Sequence, residues 1–205
     1  GTGYKTGDTL SAAAASIGGT GSGFSIDVTE VSSFTPNSAN LWQFDIGFNV
    51  DGGASQLIAH AGQNLLDIDS TVNVPVLVGT FPGGEMSELV DSQGTSPTND
   101  PIEVSGGVVL LYPYLFVYGN DGLIKNSSAG NFNDWNSPDA NETNVATSKI
   151  VKGLPVRGGT TSPSGLFWSL DSLIRVSYTP TTVGASTIYW RYDLISNQTS
   201  ILDRK

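Results

Sequence analysis

From residue 41 to residue 196 the sequence is a succession of short apolar segments of strand type, each closed by turn residues. "LWQFDIGFNV" (41–50), "SQLIAHAG" (55–62), "NLLDID" (64–69) and "VPVLVGTF" (74–81) come first. "IEVSGGVVLLYPYLFVYG" (102–119), "GLIKNSS" (122–128), "IVKGLPVRG" (150–158), "SGLFWSLDSLIRVSY" (164–178) and "STIYWRYDLIS" (186–196) follow. Between them stand "DGGA", "PGG", "GNDG" and "TPTT", whose Gly, Pro, Asn and Asp supply turn geometry. Residues 118–124 carry a tight hairpin signal around Asn120-Asp121-Gly122. Such strands, roughly ten residues apart, predict an all-β fold of many short antiparallel strands.

Trp42, Trp135, Trp168 and Trp190 each lie in or next to a strand-turn segment. Four-stranded units with one aromatic apiece favour a propeller-like arrangement, with a β-sandwich as the alternative. Residues 1–36 read as a small Gly-rich β module. Within it, Phe24 to Val28 alternate with period two, and "AAAAS" at 12–16 is too short for a helix of its own. "TPNS" at 35–38 is its exit linker, and residues 37–205 form the propeller-like domain. The chain opens on Gly1 and stops soon after a strand-like run, so it is expected to be part of a longer polypeptide and the propeller incomplete. Two stretches of low strand signal, 82–101 and 127–148, are expected to form a binding or assembly surface.

Composition narrows the chemistry. There is no cysteine, which removes disulfides, thiolate zinc sites and cysteine nucleophiles. A net charge of −10 repels phosphate backbones, so DNA is expected only as passing cargo. No apolar run approaches the roughly 18 residues of a membrane-spanning helix.

Constellations that carry chemistry are weak. His60, the sole histidine, sits in an apolar strand and reads as a core residue. No nucleophile-elbow sequence accompanies it. Asp67 with Asp69, and Glu85 with Glu88 and Asp91, are carboxylate neighbours of the kind a glycosidase uses, and they read as strand ends and turns. "NFNDW" (131–135) offers oxygen ligands without the spacing of a calcium loop and reads as Asx turns. The glycines at 18–23 precede a strand, not a helix, so they are turn residues. Asn126, Asn141 and Asn197 head glycosylation triplets that such a composition produces by chance. No catalytic residue, cofactor or metal ligand is assigned.

The assembly candidates are Trp42, Trp135, Arg157, Trp168, Arg175 and Trp190. Trp168 reads as buried. Arg157 and Arg175 stand in apolar strands, where a buried charge needs a partner. Asp171, Asp193 or a neighbouring subunit is expected to provide it.

"GTGYKTGDTL" with "GGTGSGFSIDVTEV" resembles a Gly-rich module that recurs in bacteriophage virion proteins. Residues 112–135, 150–178 and 189–202 are similar to a large virion protein of short-tailed phages, of the tail nozzle and packaged-DNA stabilisation type. The resemblance implies a propeller-like subunit of a homo-oligomeric ring on the phage tail. It also implies a DNA conduit or plug for genome ejection, contacts to adaptor and fibre proteins, and no enzymatic activity. Two other readings stay open. One is a receptor- or carbohydrate-binding tail module using Trp135, Tyr112 and Tyr114. The other is an extracellular adhesive or filament subunit.

Overall fold

The computed structural model describes residues 9–12, 24–27, 42–50, 53–62, 75–91, 101, 104–156 and 161–198. The chain divides into two compact units, Gly1–Thr35 and Pro36–Lys205. In the first, β1 (Thr9–Ala12) pairs antiparallel with β2 (Phe24–Asp27), Thr9 opposite Asp27 and Ala12 opposite Phe24.

Among its described residues, the second unit contains three four-stranded antiparallel sheets, each a meander in chain order. The first contains β3 (Gln43–Asn49), β4 (Ala54–His60), β5 (Val76–Thr80) and β6 (Ser87–Glu88). The second contains β7 (Gly107–Leu111), β8 (Tyr114–Tyr118), β9 (Leu123–Asn126) and β10 (Asn141–Asn144). The third contains β11 (Ile150–Val156), β12 (Ser164–Ser169), β13 (Leu173–Val183) and β14 (Ser186–Ser196). The fold is all-β, with no α-helix among the described residues, and no sheet closes into a barrel.

The sheets stack like blades. The leading strands β3, β7 and β11 are neighbours in that order, each an edge strand of its own sheet. Two cores fill the spaces between layers. Ile58, Val76 and Val78 of the first sheet meet Val108, Leu115 and Val117 of the second, with Phe132 and Trp135. On the other side Val109, Leu111, Tyr114, Phe116 and Tyr118 meet Phe167, Ile174, Val176 and Trp190 of the third. Successive residues of β7 and β8 thus point into different cores, as period-two side chains must. The middle sheet is covered on both faces, and so "GVVLL" and "YLFVY" are continuous apolar runs. The all-β expectation holds, and three layers with two cores depart from the two-sheet sandwich.

Close approach of the leading strands depends on small residues. A side chain at Gly47 would meet the Phe132 ring at 2.6 Å and Leu110 at 3.0 Å. One at Gly153 would meet Val109 at 2.8 Å and Tyr118 at 3.0 Å. The 127–148 stretch is packing material, not an open loop. Phe132 and Trp135 are buried, and β10 closes the second sheet.

Candidate functional site

Of the acid–base candidates, His60 and Asp91 are engaged by the scaffold. His60 is fully buried; its Nδ1 accepts the Gly62 backbone N–H at 3.0 Å and its Nε2 donates to the Val104 carbonyl. Both ring nitrogens are held by backbone, so it serves packing. Glu85 and Glu88 are exposed, and Asp91 accepts the Trp135 backbone N–H at 3.3 Å. Asp67, Asp69 and the glycines at 18–23 lie outside the described residues.

The "NFNDW" oxygens close turns. Asn131 Oδ1 accepts the Asn133 N–H, and Asp134 Oδ1 accepts those of Asn136 and Ser137, each at 3.0 Å. Desolvation works against the Asp134 carboxylate. The Ser137 hydroxyl and the two backbone donors outweigh it and hold the carboxyl below its ordinary range. Of the glycosylation triplets, Asn126 is buried and donates to the Ser127 and Asp139 carbonyls. Burial pushes the Tyr192 phenol up to about 12, although a hydrogen bond from Asn141 opposes it, and pushes Tyr114 up further.

The four tryptophans divide between the two interlayer cores and the two outer faces of the stack. Trp135 lies between the first and second sheets, and Trp190 between the second and third. Trp190 packs edge-on to Phe116 at 4.8 Å and to Tyr114 at 4.9 Å. Trp42 is exposed on the free face of the first sheet. Trp168, read from sequence as core, is half-buried on the free face of the third, because it alternates with buried Phe167. Trp135 is therefore no exposed sugar platform, and of the other two candidates Tyr114 is buried and Tyr112 exposed.

The expected ion pair of Arg175 is absent among the described residues. Arg175 is exposed, so no burial cost demands a partner. Asp193, directly opposite it in β14, is bound by Arg191 at 2.8 Å. Asp171 instead accepts the Ser148 and Ser169 hydroxyls, both at 2.6 Å. Those hydrogen bonds, that of Ser148 first, hold its carboxyl below the ordinary range. Arg157 lies outside the described residues.

The feature that sequence reasoning missed is the orientation of β3. Its small and polar side faces the second sheet: Gln43, Asp45, Gly47 and Asn49 are half-buried or buried. Its apolar side faces outward, with Trp42, Phe44, Ile46, Phe48 and Val50 exposed by 40% to 63%. Trp42 and Phe44 stack with centroids 6.0 Å apart. Leu57 and Leu77, half-buried, extend the same face onto β4 and β5. This inverts the usual apolar-in pattern of a one-sided sheet. Covering such side chains is worth roughly 1 kcal/mol or more each. Soluble domains seldom expose so many large apolar side chains side by side.

Among the described residues, no element covers the far side of the third sheet. Leu154, Leu166, Arg175 and Asp193 form one row across it, and Val156 and Trp168 lie on the same face. Leu154 and Val156 are exposed. Beyond Tyr178 the β13–β14 hairpin runs on as an exposed two-stranded ribbon, with Thr181 opposite Ile188 and Val183 opposite Ser186.

No family model matches the chain, and no curated protein or solved structure does either.

Proposed function

We propose that the chain is a structural component of a bacteriophage tail, a hub- or nozzle-type subunit of a homo-oligomeric ring around the DNA path. It touches neighbouring adaptor and fibre proteins and turns over no substrate. The observation that carries an assembly role is the outward apolar face of β3, which has no cover among the described residues. The assignment to a phage tail rests on the sequence resemblance. The net charge of −10 suits a wall past which DNA slides without sticking.

Cryo-electron microscopy of the particle that carries the chain tests this reading. Density in a closed ring on the tail axis is expected. Density on peripheral fibres, or in a filament without a capsid, contradicts it.

The stacked Trp42–Phe44 pair favours one second reading, a carbohydrate-binding tail module, since exposed aromatic faces suit sugar rings. A glycan array separates the two. Saturable binding lost in Trp42→Ala supports the module and counts against the ring.

A further inference from the structure

We propose that the two open faces of the sheet stack are halves of one head-to-tail contact between copies of this chain. Trp42, Phe44, Ile46 and Phe48 of one copy pack on the Leu154, Leu166 and Trp168 face of a second. The proposal rests on the assembly reading above and names the partner and the faces.

Continuity is the first argument. Each sheet has a face toward the preceding layer and a face toward the following one. The second sheet turns Val108, Leu115 and Val117 back to the first, and the third turns Phe167, Ile174 and Val176 back to the second. The corresponding backward face of the first sheet is the one with Phe44, Ile46, Leu57 and Leu77. Forward faces follow the same rule: Ile58, Val76 and Val78 in the first sheet, then Val109 and Phe116 in the second. The third sheet's forward face is the one with Leu154, Leu166 and Trp168. Copies placed by the same layer-to-layer step cover both open faces, one neighbour to each face.

The tryptophans are the second argument. Trp135 and Trp190 fill the two layer interfaces within the chain, and Trp42 and Trp168 stand on the two faces that a junction would join. Charge is the third. Glu88 ends the Phe44–Ala59–Leu77 row on the backward face, while Arg175 on the forward face has no ion pair among the described residues. Opposite charges on the two faces favour joining unlike faces over like ones. A contact between unlike faces is heterologous and propagates into a ring or a row.

The test is sedimentation velocity of the full 205-residue chain with two exposed-face variants, Phe44→Asp/Ile46→Asp and Leu154→Asp/Val156→Asp. The unmodified chain is expected to associate with rising concentration. Each variant alone is expected to stay monomeric, with its melting temperature kept. An equimolar mixture is expected to give a dimer and nothing larger, because only one intact junction exists. Dimerisation of Leu154→Asp/Val156→Asp alone means β3 faces pair with each other, which overturns the proposal. A monomeric unmodified chain at about 100 μM, where contacts weaker than roughly −5 kcal/mol escape detection, overturns it too.

If either double variant fails to fold, the milder Phe44→Ser and Leu154→Ser replace it. Each is expected to weaken association at least about tenfold, and unchanged association contradicts the contact. A monomeric chain found in a tail ring would sink this inference and leave the functional reading standing.

Discussion

Asp45 Oδ2 accepts the backbone N–H of Leu110 at 2.8 Å, across the seam between the first and second sheets. Its other oxygen takes the Ile46 N–H at 2.9 Å. β7 is the edge strand of its sheet, so the Leu110 donor has no ladder partner on that side. Gln43 acts beside it, donating to the Gly106 carbonyl at 3.1 Å and accepting the Tyr118 hydroxyl at 3.0 Å. The inward side of β3 is polar because it stitches an edge, and its apolar side is left to face outward.

Asp45→Ala is expected to destabilise the second unit by about 1–3 kcal/mol, the cost of an unmet donor in a partly buried seam. Asp45→Asn keeps one acceptor and should lose less. Thermal unfolding followed by circular dichroism ranks the two, and an Asp45→Ala melting point equal to that of the unmodified chain would show that the bond contributes nothing.

Gly153→Ala places a methyl group 2.8 Å from Val109 and 3.0 Å from Phe167 and Tyr118. Overpacking of this kind costs about 1–3 kcal/mol. Urea unfolding is the check. A midpoint at or above that of the unmodified chain means β11 can step away from β7 freely.

Trp190→Ala should be the most damaging tryptophan change, at about 3–5 kcal/mol. The ring is buried and contacts Tyr114, Phe116 and Tyr178. Trp168→Ala, on a half-covered face, should cost clearly less, and Trp42→Ala should leave the melting temperature almost unmoved. A larger loss for Trp168 than for Trp190 would contradict the layer assignment.

Asp134 and Asp171 set an acid limit. Both carboxyls titrate below their ordinary value, so each has a native pKa below its unfolded value of about 3.9. Stability from such a group is whole above the unfolded pKa and is lost as pH falls through the native one. The melting temperature should therefore hold from about pH 7 to about pH 5 and fall below about pH 4. Asp171→Asn should flatten that fall. Asp171 is exposed, so solvent screening keeps its share under about 1 kcal/mol.

Much of the strand order is readable from the residues. "STIYWRYDLIS" is β14 to the residue, but the runs 102–119 and 164–178, each read as one strand-type segment, are parted at Tyr112-Pro113 and Asp171-Ser172 into β7–β8 and β12–β13. β6 and β10 are not readable, because "SE" and "NETN" are short polar edge strands with no apolar period. Phe132 and Trp135 fill a core from a stretch whose Asn, Ser and Asp content signals only a loop. Alternation in "QFDIGFN" marks a strand but not which side is covered, and here the polar side is. The same limit misplaced Trp168 and gave Arg175 a buried setting it does not have.

The most direct test of an assembly role is hydroxyl-radical footprinting of the dilute chain and of the native assembly that contains it. Trp42, Phe44 and Phe48 are expected to react readily in the dilute chain and to be protected in the assembly, with Trp190 protected in both. Equal reactivity of the β3 face in the two samples would mean that nothing packs there, and would contradict the account.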